Sequence, residues 1–208
     1  METNDEHNEL QDTHVPPQYT GSEMNATAEL ELSSEAEAIY FFQKVKDRLL
    51  DVNRWKEVAG AATADFILTD ASGKNVSRKA TGGDHIKIDI PGPGPRVGDG
   101  FDWVTIEEIR LQEDENAEIL SMTARPSANP LSDQDDTAHF LKDTATSTFQ
   151  VKRMGTKIYA EEHGRNEVAN TDTDHQIDNL RNTFVGWAAK IGFSYPQWKA
   201  LVEGLLKQ

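Results

Sequence analysis

The spacing of hydrophobic and polar residues changes twice along this chain. Strict alternation predicts a strand over residues 26–32, with alanine and leucine on one side and threonine and glutamate on the other. Apolar residues then recur at helical spacing as far as residue 50, after a Ser34–Glu37 capping box, and a short second helix is predicted over residues 51–58. From residue 64 the alternation returns, which predicts that strands follow the two helices.

Turn-forming residues divide the second alternating region into strands. We predict strands over residues 64–69, 76–80, 85–90, 101–111, 118–124, 147–153 and 156–163. The proline- and glycine-rich stretch 91–100 is predicted to be a loop, and residues 137–141 a short helix over a polar loop.

A wide apolar stripe predicts a C-terminal helix from Ile177 to Ile191, interrupted at Gly192 and Pro196, with a second helical segment over residues 198–205. A sheet must bury one face and such a helix must bury its stripe, so the two are expected to pack together. The strand faces predicted to meet the helix carry Ile86, Ile88, Ile90, Phe101, Trp103, Phe149 and Val151. The alternative fold is an α+β sandwich of the same elements with a solid core.

Composition narrows the classes of partner. The 208 residues include no cysteine, and no stretch reaches the roughly 18 apolar residues of a membrane span. The net charge is −15, and no lysine or arginine precedes Lys44, so nucleic acid and anionic membranes are unfavourable partners. We expect a disordered acidic tail over residues 1–24, one domain over residues 25–208, and a cytoplasmic location.

The order of the elements resembles the helix-grip fold of START-type lipid-transfer domains and polyketide cyclases. The most suggestive local piece, Leu50-Asp-Val-Asn-Arg-Trp-Lys-Glu-Val58, looks like the second helix of those proteins. The resemblance covers about residues 26–192 and implies an α+β fold in which a curved antiparallel sheet of about seven strands wraps around a long C-terminal helix. It also implies a cavity between sheet and helix. That superfamily has no universal catalytic residue, so no functional residue is carried over.

The first functional hypothesis is a cavity that binds a small hydrophobic ligand, lipidic or aromatic. Its expected lining residues are Phe101, Trp103, Thr105, Glu107, Met122, Phe184 and Trp187. No cofactor is expected, and no metal site, because the histidines are too scattered to converge on one ion.

Two further hypotheses belong to other classes. A cyclase or hydrolase would use Glu107 as an acid or base, if Glu107 faces the cavity and is not paired at the surface, or the pair Glu161 and His163. That pair shares one face of its strand, whereas Ile158 and Ala160 on the opposite face are better core candidates. An interaction module would dock a protein partner, or a second copy, through the acidic tail or residues 195–208.

Overall fold

The computed structural model describes residues 14–60, 64–90, 98–170 and 194–208. Within these residues the elements follow the predicted order. They are β1 (Ser22–Glu31), α1 (Glu35–Leu50), a 3₁₀ turn (Val52–Arg54), α2 (Trp55–Ala59), β2 (Asp65–Thr69), β3 (His85–Asp89), β4 (Asp102–Glu113), β5 (Ala117–Pro126), β6 (Thr146–Met154), β7 (Lys157–Glu167) and the C-terminal helix (residues 194–205). The Ser34 side chain accepts a hydrogen bond from the Glu37 N–H, so the predicted cap at the start of α1 is confirmed.

The seven strands form one open antiparallel sheet in the order β1-β7-β6-β5-β4-β3-β2. β1 therefore lies at one edge of the sheet, beside β7. From β7 to β2, each strand lies beside the strand that precedes it in the sequence. One side of the sheet, which we call the inner face, carries Ile86, Val104 and Phe149 and meets the helices. The opposite side is the outer face. The seven strands and the C-terminal helix confirm the predicted α+β helix-grip fold.

The sheet is strongly bent. Phe66 on β2 and Phe149 on β6 are four strand positions apart, a separation of about 19 Å in a flat sheet. Both rings nevertheless contact Trp55, with ring-centroid distances of 5.4 and 4.7 Å. The inner face is therefore concave, and it leaves a hollow that helices can only partly fill.

The C-terminal helix is packed into the core. Leu201, Val202 and Leu205 are buried with the inner face of the sheet. The Arg48 guanidinium of α1 donates hydrogen bonds to the backbone carbonyls of Leu205 and Lys207, at 2.7 and 2.6 Å. These bonds satisfy carbonyl groups that the end of a helix leaves without a partner.

The predicted strand over residues 76–80 is wrong. The Asn53 side chain holds this segment instead, donating to the Val76 carbonyl and accepting from the Leu68 N–H, both at 2.9 Å. Only Asn75 makes an isolated bridge to β2. The Asn53 side chain thus makes hydrogen bonds that a strand paired with β2 would otherwise have made.

The predicted helix over residues 137–141 is also wrong. This segment is tied at its two ends by isolated bridges, from Thr137 to Ala128 and from Leu141 to Ala169. The backbone groups at both ends are therefore bonded to residues that are more distant in the sequence. They are not available for the hydrogen bonds between nearby residues that a helix needs.

The chain contacts the sheet closer to its N-terminus than predicted. β1 begins at Ser22, and the Asn166 side chain donates to the Pro17 carbonyl and accepts from the Tyr19 N–H. Part of the predicted tail over residues 1–24 therefore contacts the end of β7, and residues 1–13 lie outside the described residues. So does the predicted helix from Ile177 to Ile191. Among the parts that are described, no helix combines the length and apolar character needed to span a bilayer.

Candidate functional site

A cavity opens between the inner face of the sheet and the C-terminal helix. Its apolar walls come from α2, from β2 to β6, from the segment before β6 and from the C-terminal helix. They include Trp55, Phe66, Ile86, Ile88, Ile90, Val104, Ala124, Phe140, Leu141, Phe149 and Trp198. The cavity has a volume of about 50 Å³, and its mouth is open to solvent. It is concave and mainly apolar, as small-molecule sites are.

Four aromatic rings form a closed cluster in the wall. Trp55 contacts Phe66 and Phe149, and Trp198 contacts the same two rings at centroid distances of 5.7 and 5.0 Å. The Trp55 indole donates a hydrogen bond of 3.0 Å to the Leu49 carbonyl at the end of α1. The indole is therefore fixed in place, and the four rings present rigid apolar surface to the hollow. We call Trp55, Phe66, Phe149 and Trp198 the aromatic cluster.

A few polar side chains interrupt this wall. They are His139, Ser147, Glu167, Ser194 and Gln197. The Gln197 side chain accepts from the Ala64 N–H at 3.0 Å, and His139 Nδ1 accepts from the Leu141 N–H at 3.0 Å. Because Nδ1 is an acceptor, the proton of a neutral His139 ring lies on Nε2.

Two carboxyl groups lie together at the β7 end of the inner face. Glu162 is fully buried and lies directly across from Phe149 on β6. Glu167 folds over Gly164, the next inner-face position on β7, so that a Cβ on that glycine would be only 2.7 Å from Glu167 Oε1. The Ser22 hydroxyl donates to Glu167 Oε2 at 3.3 Å. We call Glu162 and Glu167 the carboxyl pair.

The carboxyl pair holds its protons unusually tightly. Burial raises the pKa of the Glu162 carboxyl well above its usual range, and the nearby Glu167 charge raises it further; Ser147 and Arg165 offset these effects only in part. Burial also raises the pKa of Glu167, against opposing effects of Ser22 and Arg165. Neither oxygen of Glu162 has a hydrogen bond of normal geometry within the described residues. A buried acid without partners is costly, which makes it a candidate functional group.

Replacing Glu162 by glutamine is expected to remove a pH dependence of stability. The unfolded chain releases this proton above about pH 4.5, whereas the folded chain keeps it, so folding stability falls as pH rises from that value towards the folded pKa. The melting temperature of E162Q relative to wild type should therefore increase between pH 5 and pH 8, by several degrees, since about 1 kcal/mol corresponds to about 2–4 °C at this size. Thermal melts across that range measure it.

The matched control is Glu108→Gln, because Glu108 is exposed on β4 and pairs with Arg110. The melting temperature of E108Q should change with pH in the same way as that of wild type. If the melting temperature of E162Q also changes in this way, Glu162 is ionised in both states and the account of its burial is wrong.

The predicted cavity face of β4 requires correction. Trp103 pairs with Lys87 on β3 and Thr105 with His85, and these residues form the outer face. The Trp103 indole lies near Lys87 and donates to the Gly98 carbonyl at 3.3 Å. Phe101 also lies under Lys87, whose ammonium is 3.7 Å from the ring centroid. The cavity is lined from β4 by Val104 instead.

A β-bulge explains why Glu107 is not in the cavity either. The register of β4 against β5 shifts between Ile106 and Glu108, so Glu107 is an extra residue and the alternation changes sides there. Its carboxylate forms an ion pair of 2.6 Å with Arg125, and its side chain is 40% exposed. The surface-paired alternative therefore describes Glu107.

The other predicted cavity residues fall into two groups. Met122 is fully buried in the core beside Phe149, on the inner face but outside the cavity wall. Phe184 and Trp187 lie outside the described residues.

The pair Glu161 and His163 exists, but on the outer face. His163 Nε2 is 3.1 Å from Glu161 Oε2, and Lys152 Nζ is 2.7 Å from the same carboxylate. Burial raises the pKa of Glu161, but bonds from His163 and Lys152 outweigh it and the net pKa is lowered. The carboxylate therefore stays ionised and paired, on the side of β7 away from the cavity.

Sequence reasoning missed Glu162, Glu167 and His139. Alternation along β7 does place Glu162 with Ile158 and Ala160, so its inner position was readable. Its lack of partners was not, because that depends on strands distant in the sequence. His139 reaches the cavity only through the bridges that hold residues 137–141.

Comparison with known proteins supports the fold. No family model and no curated protein matches this chain. A hypothetical protein of Helicobacter pylori is 8% identical over 90% of this chain and 87% of its own, with a TM-score of 0.52. A START superfamily protein from Mycobacterium smegmatis is 13% identical (89% and 99% covered, TM-score 0.35), and major latex-like protein 151 from Panax ginseng is 9% identical (90% and 100% covered, TM-score 0.39). The likeness to the Helicobacter pylori protein shows a shared fold.

Proposed function

We propose that this protein binds a small hydrophobic ligand, aromatic or lipidic, in the cavity between the inner face and the C-terminal helix. The observation that carries the proposal is the aromatic cluster, because it presents rigid apolar surface to a hollow that is open to solvent. Apolar surface of this kind gains free energy when a ligand covers it, at about 25 cal/mol per Å².

The helix arrangement supports the same function. Trp198 is only partly buried, although it lies between Phe66 and Phe149. A ligand that entered the hollow would cover the rest of this ring. The C-terminal helix uses Leu201 and Leu205 inside the core, so its apolar stripe is not free for the docking of a protein partner.

The residues predicted to act in an enzyme do not lie in the cavity. Glu107 and the pair Glu161 and His163 have cationic partners on or near the outer face, and neither set reaches a ligand in the cavity. The proposal is therefore binding rather than turnover at those residues.

Binding is tested with N-phenyl-1-naphthylamine, a neutral aromatic probe whose fluorescence rises in apolar surroundings. Wild type should bind it saturably, and Ala124→Leu should weaken binding at least about tenfold, because Ala124 lines the cavity and a larger side chain fills it. The control is Ala36→Leu on the exposed side of α1, which adds the same atoms far from the cavity. Equal binding by A124L and A36L, both folded by circular dichroism, would contradict the proposal.

A further inference from the structure

The polar end of the cavity is formed by carboxyl and hydroxyl side chains. Glu167 lines the wall with Ser147, and Glu162 lies behind them on the same face. Among the described residues that line the cavity there is no lysine or arginine. A ligand at this end meets the oxygen atoms of carboxyl and hydroxyl groups.

Arg165, the cation that follows Gly164 on β7, is bound to other groups. Arg165 alternates onto the outer face of β7, where its guanidinium donates to Asn25 Oδ1 at 2.8 Å and to the carbonyls of Met24 and Gly164 at 3.1 and 2.8 Å. It acts on the carboxyl pair only through space. Within the described chain, no lysine or arginine side chain therefore forms an ion pair with Glu162 or Glu167.

Three other carboxylates of the sheet form ion pairs with lysine or arginine. Glu107 is paired with Arg125, Glu118 with Lys46 and Glu161 with Lys152. Glu118 and Glu161 are nearly buried, like Glu162, and each has a lysine ammonium against it. Removing the partner of a buried charge normally costs several kcal/mol. Glu162 has no ammonium against it within the described residues, so its carboxyl group stays neutral by keeping its proton, and a cation that enters from outside would take the place of that proton.

We infer that the ligand is a hydrophobic amine, whose ammonium group binds the carboxyl pair while its apolar part lies against the aromatic cluster. This inference rests on the proposed function and names the chemical class of its ligand. An ammonium supplies three hydrogen-bond donors. These suit the two Glu162 oxygens, which have no hydrogen bond of normal geometry, and the Glu167 carboxyl, which accepts only from Ser22 among the described residues. The ammonium charge also draws protons from the pair, so binding near neutral pH releases protons to the buffer.

The test compares three ligands that differ only in their polar end: 4-phenylbutylamine, 4-phenylbutanol and 4-phenylbutanoic acid. Each is titrated into the full chain at pH 7 by calorimetry, and each is also used to displace N-phenyl-1-naphthylamine. The amine should bind at least about tenfold more tightly than the alcohol, and the acid most weakly. The heat of amine binding should change with the ionisation enthalpy of the buffer, whereas that of the alcohol should not.

Variants then locate the amine site. Glu167→Gln and Glu162→Gln should each reduce the preference for amine over alcohol to less than about threefold, while Glu108→Gln on the exposed part of β4 leaves it unchanged. The two glutamine variants are made separately. If one of them misfolds, the other still tests whether the carboxyl pair binds the amine. Equal binding of amine and alcohol, or tighter binding of the acid, overturns the amine inference and leaves the proposed function intact. If none of the three ligands binds and the probe itself does not bind, the proposed function fails.

Discussion

Replacing Trp55 by alanine is expected to lower the free energy of unfolding by about 3–5 kcal/mol, a large part of the 5–15 kcal/mol typical of a domain. Trp55 is 1% exposed and joins α2 to both β2 and β6 through Phe66 and Phe149. Its removal leaves a large void between α2 and the concave face of the sheet. It also leaves the Leu49 carbonyl without its 3.0 Å hydrogen bond.

Two further substitutions separate these effects. Trp55→Phe keeps an aromatic ring and removes the N–H, so we expect a smaller loss of about 1–2 kcal/mol. Tyr40→Ala removes an aromatic ring that is 66% exposed on α1, and its effect should stay within about 0.5 kcal/mol. Urea unfolding measures all three. A W55A variant as stable as Y40A would show that Trp55 does not hold the helices to the concave face.

Replacing Gly204 by alanine is expected to destabilise the protein by about 1–3 kcal/mol or more, because it overpacks a backbone contact. A Cβ on this residue would lie 2.0 Å from the Val58 carbonyl oxygen, so the C-terminal helix would have to move away from α2. Helix propensity alone predicts the opposite sign, a gain of about 0.8–1 kcal/mol for alanine over glycine. The direction of the change therefore decides between the two effects.

Gly82→Ala is the matched control for this variant. The nearest atom to a Cβ at Gly82 is the Glu107 carbonyl oxygen, at an ordinary 3.8 Å. We expect G82A to be neutral or slightly stabilising in the same urea titrations. Because Trp198 lies on the same helix as Gly204, G204A should also weaken binding of N-phenyl-1-naphthylamine, whereas G82A should not. A stabilised G204A variant would mean that helix and α2 are not in backbone contact.

The sequence allowed the fold to be predicted wherever one face of an element was clearly apolar. On β3, Ile86 and Ile88 alternate with polar residues, and they do face the core. On β7, Ile158 and Ala160 do the same. The helix cap at Ser34 was readable because its residues are close in sequence. Local patterns of this kind were enough to give the element order, and the order was enough to give the fold.

The candidate site could be predicted only in part. On β4 both faces carry apolar side chains, so alternation alone could not choose between Trp103 and Val104. The bulge at Glu107 then moved Ile109 to the opposite face from Trp103. Phe149 was correctly assigned to the inner face, because its strand alternates more clearly. The carboxyl pair could not be recognised, since its distinguishing property is the lack of a cationic partner among the described residues, which depends on the three-dimensional structure.

The central claim is that the ligand lies against the inner face, between sheet and C-terminal helix. It is tested most directly by following the indole N–H signals of the tryptophans by nuclear magnetic resonance while N-phenyl-1-naphthylamine is added, with signals assigned by single Trp→Phe variants. Trp55 and Trp198 line the cavity, and Trp103 lies on the outer face. The Trp55 and Trp198 signals should shift together and saturate, while that of Trp103 stays in place. A shift of Trp103 with Trp55 and Trp198 unchanged would place the ligand on the wrong side of the sheet and contradict the account.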